Sequence, residues 1–321
     1  MRDHMTKIRK LALLALACPL FGWAQTTVSS GTLARIVVTI GHHYGVAPPT
    51  LTPDDLTITQ HYDPLPVTNV IPLRGDRAAL ELFLLVDQCS NCEPGSKFEE
   101  LSRFIASLPS TTTVGVAYIQ NGKLQLAHSL TADHHRAVEA LSTPAGSKPA
   151  SPFGALAQLV RDWPRGKARR AVLMISNGLD PATANSLPNP SAEEALEAAQ
   201  RAGVTVYAIY HPSADYLSSD SSKIYDGQVQ LAHVADETGG EAYFLGFGPL
   251  PSLAPFLADM VDHLANQYLV EFLATPAHGE GELEQVMVKS KISDIEVMVP
   301  DKVWVPGAPS PSEGAHAEER P

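Results

Sequence analysis

Between residues 80 and 266 the chain alternates two textures. Short unbroken apolar runs, Leu82-Phe83-Leu84-Leu85-Val86, Ala171-Val172-Leu173-Met174-Ile175 and Val204-Thr205-Val206-Tyr207-Ala208-Ile209-Tyr210, read as strands covered on both faces. Between them apolar positions recur three and four apart, as in Phe98, Leu101, Phe104, Ile105 and Leu108, which is the stripe of a surface helix. The same spacing predicts helices around 133–141, 153–161 and 253–266. Ser191 reads as a cap, with Glu193 and Glu194 in the first turn of a helix that stops at Gly203. A short helix is expected over 231–238, closed by Gly239-Gly240, and Val114–Ile119 reads as a strand followed by an Asn121-Gly122 turn. Strands alternating with helices predict an α/β fold, a doubly wound, mainly parallel, Rossmann-like sheet with helices on both faces. In such sheets binding residues collect where strands end. The strongest strands end at Asp87, Asn177 and His211.

Both flanks are β-rich. In the unit expected over 25–79, Arg35–Ile40 is β-branched and Leu56-Thr57-Ile58-Thr59 alternates. Arg74-Gly75-Asp76, a tripeptide that integrins can read, is taken as a turn. An extension over 267–306 holds Tyr268–Leu273, Val286–Val288 and Ile295–Val299, and 307–321 is a Pro-, Gly-, Ser- and Glu-rich tail expected to be disordered.

At the N-terminus Arg2, Lys7, Arg9 and Lys10 precede the apolar run Leu11–Leu20 and the small residues Gly22 and Ala24. This is the order of a secretory signal over 1–24, cleaved after Ala24. The mature chain is then periplasmic or secreted. Lipidation at Cys18 is the lesser reading, because Ala15-Leu16-Ala17 before it does not place leucine at the usual position. No other stretch is apolar for long enough to span a bilayer. A formal net charge of −12 argues against a nucleic-acid partner, which needs clustered cations. The one basic cluster, Arg161, Arg165, Lys167, Arg169 and Arg170, reads as a solvated connection.

Two cysteines remain after the signal, Cys89 and Cys92. An even count in an exported chain favours a disulfide. A Cys-x-x-Cys that follows a buried strand is also the arrangement of a thiol-disulfide oxidoreductase, although Pro94-Gly95 delays the helix that would activate it. The adjacent pairs His42-His43 and His134-His135 point in different directions and make no metal site alone. There is no phosphate-binding loop, no G-x-S-x-G elbow and no H-E-x-x-H.

Three strand-end motifs carry a resemblance. Asp87-Gln88-Cys89-Ser90-Asn91, Ser151-Pro152-Phe153-Gly154 and Ile175-Ser176-Asn177-Gly178 resemble, in order and spacing, the Asp-x-Ser-x-Ser, Thr and Asp-Gly loops of the von Willebrand factor type A domain. Pro49–Leu56, Gln267-Tyr268-Leu269-Val270 and Val303-Trp304-Val305-Pro306 look like flanking elements of exported bacterial relatives best described in acidobacteria. The resemblance implies a core over 80–266, a non-enzymatic role in binding a protein or cell-surface ligand, and a metal-ion-dependent adhesion site for Mg²⁺ or Mn²⁺. Carried over position by position, Asp87 keeps its carboxylate, Cys89 places soft sulfur where hard oxygen belongs, and Asn91 keeps only a carbonyl oxygen. Ser151 keeps a hydroxyl, and Asn177 loses a charge that the nearby Asp180 would have to restore. The implied site, Asp87, Asn91, Ser151 and Asn177, is therefore degenerate, and no resident cofactor is expected. A Cys89–Cys92 bond would stiffen the same loop in place of the metal. Loops 87–95, 149–154, 177–190 and 211–227 form the expected binding face, which belongs either to a ligand-binding module or to a metal-free structural subunit of an envelope assembly.

Overall fold

A computed structural model describes residues 31–42, 49–87, 95–120, 123–141, 151–164, 166, 168–180, 190–212, 221–246 and 251–308. The N-terminal segment supplies β1 (Thr32–His42), β2 (Leu56–Gln60), β3 (Asp63–Leu65) and β4 (Val67–Pro72). The central segment starts with β5 (Leu80–Asp87), α1 (Gly95–Ser107), β6 (Thr112–Gln120), β7 (Lys123–Thr131), α2 (His134–Glu139) and α3 (Pro152–Arg161). It continues with β8 (Arg169–Ser176), α4 (Pro190–Ala202), β9 (Val204–Tyr210), α5 (Ser221–Asp236), β10 (Ala242–Tyr243) and α6 (Ala254–Ala265). The last strands are β11 (Gln267–Ala274), β12 (Gly281–Ser290), β13 (Ile295–Met298) and β14 (Lys302–Pro306).

Six strands form one sheet in the order β10-β9-β8-β5-β6-β7. Its pairings are parallel except β6–β7. The chain enters at β5, winds outward to β7, returns to β8 beside β5, and winds outward again to β10. This is the doubly wound order, with its reversal between β5 and β8. Alternation along each strand feeds two cores. Phe83 and Leu85 face the layer of α3, α4 and α5, while Leu82, Leu84 and Val86 face α1, α2 and α6. Leu82, Leu84 and Leu85 are fully buried, as unbroken apolar runs require.

The two ends of the chain share a second structure. One four-stranded sheet has the order β13-β1-β11-β4 and another β14-β12-β2-β3, so each takes strands from both flanks. Ile36, Val38, Ile40, Tyr268, Val270, Phe272 and Val305 fill the core that these sheets share. Among the described residues no helix is long and apolar enough to cross a membrane.

Several local expectations change. Helix α4 begins at Pro190, so Ser191 lies inside its first turn; proline suits that turn because the N–H it lacks would be unpaired there. Helix α5 begins at Ser221, ten residues before the predicted start, which makes 221–227 helix rather than loop. Its buried face includes the polar Gln228 between Ile224 and Leu231, and that interrupted stripe hid its first turns. Strand β7 was not predicted; it is an edge strand on which Leu126 stays 51% exposed. The basic cluster is not simply solvated. Arg169 is turned inward and donates to Leu264 O and Gln267 Oε1, both at 2.6 Å. Arg170 donates to Pro164 O at 2.8 Å, and Arg161 pairs with Glu194. Arg165 and Lys167 lie outside the described residues.

Candidate functional site

The reversal between β5 and β8 creates the site. Helix α1, after β5, packs on one face of the sheet, whereas α4, after β8, packs on the other. The chain therefore leaves two adjacent strands in opposite directions and opens a crevice at their carboxyl ends. The Val86–Ile175 pair sets the level of this edge, with Asp87 and Ser176 next along each strand.

Asp87 ends β5. The Ser176 hydroxyl, 1% exposed, donates to Asp87 Oδ2 at 3.0 Å and accepts from Gly178 N at 3.2 Å. Asn177 turns its side-chain oxygen back on its own loop, where Oδ1 accepts from Leu179 N at 2.9 Å. Such side-chain turns are a habit of asparagine. Gly178 follows at φ +69°, and a Cβ there would lie 2.2 Å from Gly227 O of α5. Only glycine meets both demands, so this loop is fitted to α5 backbone to backbone.

Asp180 is buried at 1% exposure and accepts the Ser151 proton at 2.5 Å. Ser151 is also the N-cap of α3, accepting from Gly154 N at 3.0 Å. The fold thus brings Asp87, Ser151, Asn177 and Asp180 to one rim, with Asp180 supplying the second carboxylate three residues after Asn177. Asn91, Cys89 and Cys92 lie outside the described residues, so the rim is described without them.

Two rim groups were not assigned from the sequence. His211 follows β9 and donates its backbone N–H to Ser176 O at 2.8 Å, beside the Asp87 contact. Its Nε2 lies 3.0 Å from Lys97 Nζ of α1. Burial, then the Lys97 charge, pushes the imidazole down to about 4, so it is neutral near pH 7. Burial also lowers the Lys97 ammonium from its usual value and raises Tyr210 to about 12. The position of His211 at a strand end was legible; its partnership with a residue 114 positions away was not.

Tested against a divalent cation, the described donors fit in part. Asp87, Asp180, Ser151 and Asn177 offer the oxygens that hard cations demand. Two oxygens bound at right angles to Mg²⁺ stand about 3 Å apart, whereas Ser151 and Asp180 close to 2.5 Å around a shared proton. Ser176 likewise directs its proton at Asp87. Among the described residues no three His, Cys, Asp or Glu side chains converge on one point.

Strand order and rim together define a doubly wound α/β domain, the arrangement that the resemblance to the von Willebrand factor type A domain implies. No protein-family model matches the sequence, and no curated protein matches it. Among solved structures, proximal thread matrix protein 1 of the mussel byssus is 14% identical, with a TM-score of 0.41 over 59% of this chain. The chain spans less than half of that protein, 46%, which has also been seen with zinc in its adhesion motif. The von Willebrand domain of the type V pilus tip protein Mfa5 from Porphyromonas gingivalis is 10% identical, with a TM-score of 0.42 over 61% of this chain and 95% of its own length. The SpRpn10 VWA domain is 14% identical, with a TM-score of 0.38 over 56% of this chain and 94% of its own.

Proposed function

We propose that this chain is an exported, non-enzymatic module that binds a protein or surface ligand at the carboxyl edge of its parallel sheet without a resident metal ion. The observation that carries the reading is how the rim is wired. Ser151 on Asp180 and Ser176 on Asp87 satisfy the carboxylates by hydrogen bonds from within the chain, where a cation would otherwise neutralise them. Asn177 in place of an aspartate lowers the charge available to a metal, and Cys89 is a poor ligand for a hard one. A Cys89–Cys92 bond would hold the first loop in place of the ion. Export rests on the leader of residues 1–24, after which the mature chain would meet an oxidising compartment.

The test immobilises residues 25–321 and exposes them to envelope extract with and without EDTA, beside the variant Leu245→Arg. Leu245 is 65% exposed at the same sheet edge, so the change tests the face without disturbing the core. Retention of a partner that is indifferent to EDTA and lost with Leu245→Arg supports the reading. Retention abolished by EDTA, or untouched by the substitution, rejects it. Non-reducing mass spectrometry of the exported chain checks the bond, and two free thiols would exclude it.

A further inference from the structure

A cavity of about 410 Å³ opens at the amino ends of the parallel strands, opposite the rim of Asp87 and Ser176. Leu80, Thr112 and Arg169, the first residues of β5, β6 and β8, stand in register and line it. Leu108, after α1, and Val261, on α6, belong to the same mostly apolar wall. Arg74, in the segment after β4, is its exposed cationic member. Pockets that take small molecules span about 300–1,000 Å³, so the space is of that class.

Two guanidiniums meet in this wall. Arg169 Nη1 donates to Leu264 O at 2.6 Å and Arg74 Nε donates to Ala265 O at 3.0 Å, so they hold consecutive carbonyls at the end of α6. Their other acceptors are neutral amides, Gln267 Oε1 for Arg169 and Asn266 Oδ1 for Arg74. A helix end carries about half a negative charge, against two full positive ones here. Among the described residues neither arginine enters an ion pair. The wall contains no Asp or Glu; Asp76 and Asp262, which flank it in sequence, do not line it. Burial lowers Arg169 to about 10, which leaves it charged near pH 7. Tyr207, the ionisable group that acts on it, is kept protonated by its own burial. Donors remain, since a guanidinium has five N–H groups. Arg169 Nε is buried without a partner among the described residues, and the described bonds of Arg74 use only Nε and Nη2.

We infer that this cavity is a second binding site, for a small amphipathic monocarboxylate, with the carboxylate between Arg74 and Arg169 and the apolar body against Leu80, Leu108 and Val261. One anion offsets most of an excess of about one and a half charges, whereas a phosphate dianion exceeds it. A planar carboxylate also matches the fork of guanidinium donors. The apolar wall suits a hydrocarbon body and offers few partners to a sugar or a nucleotide. The site lies at the far end of the sheet from the binding face proposed above and does not depend on it.

The probes are octanoate, its neutral analogue octanamide, acetate and inorganic phosphate, each titrated calorimetrically into residues 25–321. Octanoate is expected to bind at least about tenfold more tightly than octanamide, the scale of one charge-assisted hydrogen bond. Arg74→Gln, at the exposed end of the wall, should reduce that preference to under about threefold, and Arg74→Lys should keep part of it. Val261→Phe, which fills the cavity and leaves both arginines, should weaken octanoate by at least about tenfold through lost apolar burial. Circular dichroism establishes that each variant is folded. If the arginines served only to hold α6, Arg74→Gln would lower the melting temperature and leave the preference between the two ligands unmoved. Equal binding of octanoate and octanamide, no binding of octanoate at millimolar concentration, full preference surviving in Arg74→Gln, or unchanged affinity in Val261→Phe overturns the inference. Acetate or phosphate bound as tightly as octanoate would mark a simple anion site and also overturn it.

Discussion

The wiring of the rim makes Ser151→Ala the most informative substitution. Its hydroxyl donates to the buried Asp180 at 2.5 Å and accepts from Gly154 N at 3.0 Å as the cap of α3. A hydrogen bond to a charged group contributes about 1.5–3 kcal/mol, and loss of a serine cap costs about 1 kcal/mol. Asp180 keeps further contacts, so it is weakened rather than stranded. A total near 3 kcal/mol follows, which in a domain of this size lowers the thermal midpoint by roughly 6–12 °C. Circular dichroism melts of Ser151→Ala, Asp180→Asn and the double variant measure it. Ser151→Thr, which keeps the hydroxyl, should stay within about 1 kcal/mol of the parent. The single changes should be non-additive, with a coupling above about 0.5 kcal/mol, because they remove the same contact. A Ser151→Ala loss under about 0.5 kcal/mol, or strict additivity, would show that the pair does not hold the rim.

Three further outcomes follow from the same geometry. Gly178→Ala should cost about 2–4 kcal/mol in a denaturant melt, from left-handed backbone strain plus displacement of α5, since the added carbon would sit 2.2 Å from Gly227 O; an unchanged midpoint would contradict the close packing. Glu241 is raised from 4.5 to about 7 by burial and then by Asp236, Glu296 and Asp259. The folded chain holds that proton more tightly than the unfolded one, so its contribution is full below about 4.5 and lost as pH rises through about 7. Glu241→Gln should therefore be the more stable protein above neutrality and show no such advantage in acid, as paired melts across that range would reveal. Millimolar Mg²⁺ or EDTA should move the melting temperature by less than about 1 °C; a site filled at a hundred times its dissociation constant would add about 2.7 kcal/mol and several degrees.

Much of this protein was determined by sequence alone, where the determinants are local. Unbroken apolar runs announced β5, β8 and β9, and the three-and-four spacing announced α1, α3 and α6, because burial on two faces or on one stripe leaves a direct trace in residue order. Strand ends at Asp87 and Asn177 followed from the same patterns. Three things only the tertiary structure decided. Strands from both ends interleave in shared sheets, since antiparallel pairing of β1 with β11 joins residues more than 200 positions apart and alternation does not name its partner. Helix α5 begins at Ser221 and its Gly227 packs on the Asn177–Gly178 loop, a fit between two backbones that leaves no hydrophobic signature. The rim's electrostatics were settled by pairings across loops: Ser151 with Asp180, Ser176 with Asp87, Lys97 with His211. A residue's charge is written in the chain, but whether a proton, a neighbour or an ion satisfies it depends on what folding places within about 3 Å.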